Sequence, residues 1–90
     1  MSGLRLPADV LPHRPPFLLL DEVVELDVGS SAKGLWRLTG EEQFFAGHFP
    51  GRPTLPGVLM LEAIAQLGAY AVLRLRAAYP TAGFPPQARV

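Results

Sequence analysis

The chain has 90 residues, no cysteine, two histidines and a formal net charge of zero. Its length fits one small domain over residues 1–90, and its composition excludes disulfides and argues against a thiolate or histidine-rich metal site. The eight Lys and Arg residues form no dense cluster, so nucleic-acid binding is not expected.

The first half of the chain predicts a β-hairpin. Prolines across residues 7–16 exclude a long helix there and favour a short helical turn or loop. Residues 17–28 predict a strand that alternates in its second half, with one face formed by Val24, Leu26 and Val28. A Gly-Ser-Ser turn at 29–31 leads to a return strand at 32–39, which places Trp36 and Leu38 on the face opposite Lys33 and Leu35.

The second half predicts one long helix, from about residue 56 to about residue 79. Pro56 suits the first helical position, and Pro80 prevents clean continuation. The apolar run 57–73 is shorter than the ~20 residues that a membrane span usually needs. Because this run also contains Glu62 and Gln66, a buried core helix is expected rather than a membrane span.

Three features near the start of this helix are candidates for chemistry. His48 lies in a Gly- and Pro-rich loop whose path is restricted, whereas His13 is assigned a structural role. Glu62 stands among apolar residues, where a carboxylate is costly to bury unless it is paired or protonated, and Gln66 at i+4 is placed to bond it. Gly57 lies at a helix N-terminus, whose free N–H groups attract a ligand oxygen.

Each feature also has a plain structural interpretation. His48 by itself is typical of an exposed loop histidine, Glu62 of a partly exposed helix face, and Gly57 of an ordinary helix start. Together they supply a base, an acid and an oxyanion site, which is what a β-elimination beside a thioester requires. Thioester hydrolysis needs the same parts, so the residues alone leave both reactions open.

Two longer motifs carry a family resemblance. The segment LPHRPPFLLLD at 11–21 and the segment FFAGHFPGRPTLPGVLMLEAIAQ at 44–66 resemble the (3R)-3-hydroxyacyl-[acyl-carrier-protein] dehydratases of type II fatty-acid synthesis. The resemblance implies an α+β hot-dog fold, an antiparallel sheet around a long central helix. It implies His48 and Glu62 as the catalytic pair and Gly57 as the backbone donor to the thioester carbonyl. A glutamate at position 62 resembles the branch that dehydrates without isomerising.

The resemblance also implies partners and surroundings. The implied substrate is a 3-hydroxyacyl chain on acyl carrier protein, the implied location is cytoplasmic, and no metal or organic cofactor is implied. The His and Glu of one site come from different subunits, so a homo-oligomer is expected. Candidate docking residues for the acidic carrier protein are Arg74, Arg76 and Arg89.

The chain is shorter than the family members that it resembles. A hairpin and a helix form only part of a hot dog, so a large apolar surface on the helix is expected to stay exposed. We therefore expect a C-terminally truncated family member. The alternatives to a dehydratase are a hot-dog thioesterase and a non-catalytic member that pairs with an intact homologue.

Overall fold

The computed structural model describes residues 4–78. Helix α1 (Pro7–Val10) precedes the strands β1 (Glu22–Asp27) and β2 (Ser31–Leu35), and a 3₁₀ turn (Gln43–Ala46) leads towards helix α2 (Gly57–Ala78). The strands form a two-stranded antiparallel sheet that packs on α2. The predicted hairpin and the predicted long helix are thus confirmed.

The strands are shorter than the sequence pattern predicts. Residues 17–21 lie outside β1 because α2 binds part of their backbone, as the amide of Leu19 donates to the side chain of Gln66. Residues 36–39 lie outside β2 because side chains take their amides: Arg37 donates to Asp21 and Thr39 donates to Glu42. These side-chain acceptors replace the partner-strand carbonyls that longer strands would use.

A register shift interrupts the pairing of β1 with β2 at Val24. Val23 pairs with Gly34 and Glu25 pairs with Lys33, so Val24 is an extra residue in β1. Such a bulge interrupts the alternation of faces. Val24 and Leu26 are half-buried and alternate with the exposed Glu25 and Asp27, as the sequence pattern predicted. Val23 is the buried residue of the strand, and Val28 lies beyond the strand with 40 % of its surface exposed.

Strand β2 approaches α2 closely at Gly34. A Cβ atom there would lie 2.7 Å from Leu20 Cδ1 and 3.2 Å from Leu67 Cδ1. Only glycine therefore leaves room for the helix and the preceding segment at this point. Lys33 and Leu35 share the opposite face of β2, as predicted, and both are exposed.

Helix α2 begins one residue later than predicted. The carbonyl of Pro56 accepts hydrogen bonds from the amides of Leu59 and Met60, so Pro56 precedes the first helical residue, Gly57. The predicted end near residue 79 and the stop at Pro80 lie outside the described residues. Arg89 lies outside them too.

The core joins the N-terminal segment (residues 4–21), β1 and one face of α2. Its fully buried apolar members are Leu11, Leu20, Val23 and Tyr70. The Tyr70 hydroxyl donates to the Arg5 carbonyl at 2.7 Å, which gives this buried group a partner and ties the N-terminal segment to α2.

The other face of α2 is apolar and open to solvent within the described part of the chain. Its exposed side chains include Val58, Leu61, Ile64 and Val72, of which Val58 is 74 % exposed. The expected exposed apolar surface is confirmed. By length and composition alone, the 22 residues of Gly57–Ala78 are also long and apolar enough to cross a membrane, a test that core helices of soluble proteins pass as well.

Candidate active site

Gln66 fixes α2 to the segment that precedes β1. Its side chain is buried, its Oε1 accepts from the Leu19 amide at 2.8 Å, and its Nε2 donates to the Phe17 carbonyl at 2.9 Å. An amide N–H can only donate and a carbonyl can only accept, so these two partners define which way the Gln66 amide faces. The NH₂ group is therefore directed along the helix towards its first turns.

Glu62 receives the second hydrogen of that NH₂ group. Gln66 Nε2 lies 2.9 Å from Glu62 Oε2, which confirms the bond expected between positions i and i+4. The Glu62 side chain is 31 % exposed, so it reaches solvent while one of its oxygens is held. Glu62 is therefore partly exposed, as its plain structural interpretation expects, but its carboxylate is paired with Gln66.

His13 lies next to the same carboxylate. Its Nε2 is 3.9 Å from Glu62 Oε2, and its ring stacks on Phe17 with a centroid distance of 6.5 Å. Its Nδ1 is buried and has no hydrogen-bond partner in the part of the chain that the structure describes. The sequence did not predict this neighbour, because His13 and Glu62 are distant in the chain. His13 stood out only as part of the motif at 11–21 and was assigned a structural role.

His48 is held by the loop that follows the 3₁₀ turn. The Thr54 amide donates to the His48 carbonyl at 2.9 Å, and Phe49 and Arg52 exchange backbone hydrogen bonds. Gly51 has a φ of 69°, which glycine adopts at no steric cost in such a tight turn. The His48–Phe49 peptide bond is cis. The predicted rigid platform for His48 is therefore built from backbone hydrogen bonds.

The same loop defines the tautomer of His48. Its Nδ1 lies 2.8 Å from the carbonyl oxygen of Thr54. Because a carbonyl oxygen only accepts hydrogen bonds, Nδ1 carries the proton in the neutral ring and Nε2 keeps its lone pair. The ring also stacks on Phe49, with centroids 4.1 Å apart. The arrangement makes Nε2 the basic atom of His48.

Gly57 occupies the N-terminus of α2, as predicted. It is exposed, and a Cβ atom there would meet nothing within 4 Å among the described residues. Neighbouring atoms of the described chain therefore do not require a glycine at this position. An open N-terminal turn leaves room for a ligand oxygen to approach the backbone.

In the described part of a single chain, His48 and Glu62 have separate sets of contacts. Within residues 4–78, Glu62 contacts Gln66 and His13, whereas His48 contacts Thr54 and Phe49. No hydrogen bond or ion pair joins the two predicted catalytic residues within this range. The same range contains no group of three or more His, Cys, Asp or Glu side chains placed to hold a metal ion.

Comparison with known proteins gives consistent relatives. The chain is 58 % identical over 65 residues to a 3-hydroxyacyl-[acyl-carrier-protein] dehydratase FabZ of Herpetosiphon aurantiacus, covering 72 % of this chain and 46 % of that protein. It is 56 % identical over 64 residues to the FabZ of Caldicellulosiruptor saccharolyticus, covering 71 % and 46 %. For the FabZ of Pelotomaculum thermopropionicum, the values are 52 % over 67 residues, covering 74 % and 48 %.

The chain thus spans about half the length of the curated relatives that it matches. A family model described as the FabA-like domain matches residues 11–84. This match confirms the expected hot-dog family, of which the described residues form a hairpin and the long helix. On this match the chain belongs to the FabA-like domain family.

Proposed function

We propose that this chain serves in the dehydration of (3R)-3-hydroxyacyl chains on acyl carrier protein to trans-2-enoyl chains. The observation that carries the proposal is the hydrogen bond from His48 Nδ1 to the Thr54 carbonyl, which leaves Nε2 as a base. The relatives named as 3-hydroxyacyl-[acyl-carrier-protein] dehydratases support the substrate class.

The proposed reaction is a β-elimination. His48 Nε2 removes a proton from C2 of the acyl chain, and the electron pair left on C2 forms the C2–C3 double bond. The C3–O bond breaks, and Glu62 gives its proton to the departing hydroxyl, which leaves as water. Exchange of protons with solvent then returns the two side chains to their starting states.

Gly57 is proposed to stabilise the charge that develops on the thioester oxygen. Its backbone N–H lies at the positive end of the α2 dipole, and its missing side chain lets that oxygen come close. The charge is greatest in the enolate-like transition state, so this donor acts on the rate rather than on binding alone.

We propose that a site combines His48 of one copy with Glu62 of another. Two observations support this arrangement: the two side chains do not contact each other within the described chain, and α2 exposes apolar residues such as Leu61 and Ile64. Apolar surface of this kind is typical of an interface. A homo-oligomer is therefore part of the proposal.

The partner, the location and the cofactor requirement are proposed from the relatives. We propose acyl carrier protein as the partner, a cytoplasmic location, α2 as a core helix rather than a membrane span, and chemistry that needs no cofactor. Arg76 is exposed and Arg74 is half-buried at the end of α2, and both are proposed to meet the acidic carrier protein.

The test is an assay of the full-length protein with 3-hydroxyacyl-acyl carrier protein, monitored by the absorbance of the enoyl thioester that forms. Activity is expected, with His48→Ala and Glu62→Gln each lowering kcat by at least about a hundredfold. Release of free thiol in place of enoyl product would identify a thioesterase. Wild-type levels of activity in both variants would overturn the assignment of roles.

A further inference from the structure

The two oxygens of Glu62 have different surroundings. Oε2 has Gln66 Nε2 at 2.9 Å and His13 Nε2 at 3.9 Å. Oε1 has no hydrogen-bond or ion-pair partner among residues 4–78. A group that transfers a proton needs one oxygen free for the substrate, and this asymmetry leaves Oε1 free.

Gln66 determines which oxygen can carry the proton. Because the Leu19 amide donates to Gln66 Oε1, the Gln66 NH₂ group cannot turn away from Glu62 without breaking that bond. Glu62 Oε2 therefore accepts a hydrogen bond. A proton on Oε2 would face an N–H group, so the transferable proton belongs on Oε1.

His13 presents a second N–H group to the same oxygen. Its buried Nδ1 has no acceptor among the described residues, so a proton there would be a buried donor without a partner. The neutral ring therefore carries its proton on Nε2, the atom that faces Glu62 Oε2. The backbone of His13 is itself anchored, because Arg14 Nη1 donates to the carbonyls of Leu11 and His13 at 2.9 and 2.6 Å.

We propose that His13 is a positioning residue that acts with Gln66 on Glu62 Oε2 and so directs Oε1 to the substrate hydroxyl. The separation of 3.9 Å is longer than a hydrogen bond, and contacts of this kind often tighten when substrate binds. This role rests on the proposed dehydratase function. It gives His13, a residue of the motif at 11–21, a part in the proposed reaction.

Two substitutions separate positioning from packing. His13→Phe keeps the ring that stacks on Phe17 and removes the N–H group. His13→Gln removes the ring and keeps an amide N–H near the place of Nε2. If His13 positions Glu62, then in the full-length protein His13→Phe lowers kcat by about fivefold with KM within about twofold, and His13→Gln restores most of the loss.

A packing role predicts the reverse order, with His13→Phe near wild type and His13→Gln impaired, and that result overturns the proposal. Equal activity of wild type and both variants overturns it too. If His13→Phe does not fold, His13→Gln decides alone: a loss as large as that of Glu62→Gln contradicts a positioning N–H. Failure of the proposed function is distinct, because the wild-type protein itself then forms no enoyl thioester.

Discussion

The amide of Leu19 donates a 2.8 Å hydrogen bond to the side chain of Gln66, and this one bond defines the direction of a buried amide. The same side chain binds the Phe17 carbonyl and the Glu62 carboxylate. A single residue thus joins the N-terminal segment to α2 and holds the proposed acid. Removal of Gln66 is expected to affect both the fold and the site.

Gln66→Met keeps the length of the side chain and removes all three hydrogen bonds. The Leu19 amide and the Phe17 carbonyl lose their partners, so we expect a loss of about 2 kcal/mol or more in the free energy of unfolding. Urea denaturation monitored by circular dichroism measures it. The matched control is Gln43→Met at an exposed position of the 3₁₀ turn, for which a change within about 0.5 kcal/mol is expected. Equal losses in the two variants would contradict the role of Gln66.

Gly34→Ala tests the close approach of β2 to α2. The added methyl group would lie 2.7 Å from Leu20 Cδ1 and 3.2 Å from the Glu22 carbonyl oxygen, so the packing must shift. We expect a destabilisation of about 1–3 kcal/mol, measured as a lower unfolding midpoint. Gly47→Ala is the control, because a Cβ atom at Gly47 meets nothing within 4 Å and its φ of −103° suits alanine. A control as unstable as Gly34→Ala would remove the steric explanation.

The positions of these residues show how far the sequence predicts the structure. The Gly-Ser-Ser turn and the continuous apolar run were sufficient to predict the hairpin and α2, because such local signals set secondary structure. The ends of β1 and β2 were predicted wrongly because distant side chains compete for the backbone: Gln66 takes the amide of Leu19, and Asp21 takes the amide of Arg37. The bulge at Val24 has no local signal either.

The candidate site, like the fold, is only partly predictable from the sequence. The bond between Gln66 and Glu62 was predictable, since residues four apart share a helix face. The place of His13 beside Glu62 was not, because it depends on how the N-terminal segment packs on α2. His48, Glu62 and Gly57 as functional residues remain predictions until activity is measured.

Glu42 makes stability depend on pH. The Thr39 amide, which donates to Glu42, lowers the pKa of this carboxyl below its ordinary value of 4.5. A lowered folded-state pKa stabilises the fold above the unfolded value, and this contribution is lost as the pH falls through the folded value. We expect Glu42→Gln to destabilise the protein at pH 7 and to match wild type more closely in acid.

Denaturation of both proteins at neutral and acidic pH measures this difference. Glu41→Gln is the matched control, because among the described residues the Glu41 carboxylate, unlike that of Glu42, accepts no hydrogen bond from a backbone amide. A pH-independent gap between Glu42→Gln and wild type would contradict the explanation. So would a gap of the same size for Glu41→Gln.

His48→Asn separates the fold of the loop from its chemistry. The asparagine amide nitrogen occupies nearly the place of Nδ1, so the bond to the Thr54 carbonyl is kept while the basic Nε2 is lost. We expect stability within about 0.5 kcal/mol of wild type and a fall in kcat of at least about a hundredfold. Thermal unfolding and the dehydration assay measure the two effects. An active His48→Asn variant would show that Nε2 is not the base.

Complementation between two inactive variants tests the central claim most directly. His48→Ala and Glu62→Gln chains, co-expressed and purified together, form mixed dimers in which one of two shared sites keeps both residues. Random pairing in a two-fold dimer then predicts recovery of about one quarter of wild-type dehydratase activity. Activity no higher than that of either variant alone, in a preparation shown to contain mixed dimers, would contradict a site built from His48 of one copy and Glu62 of the other.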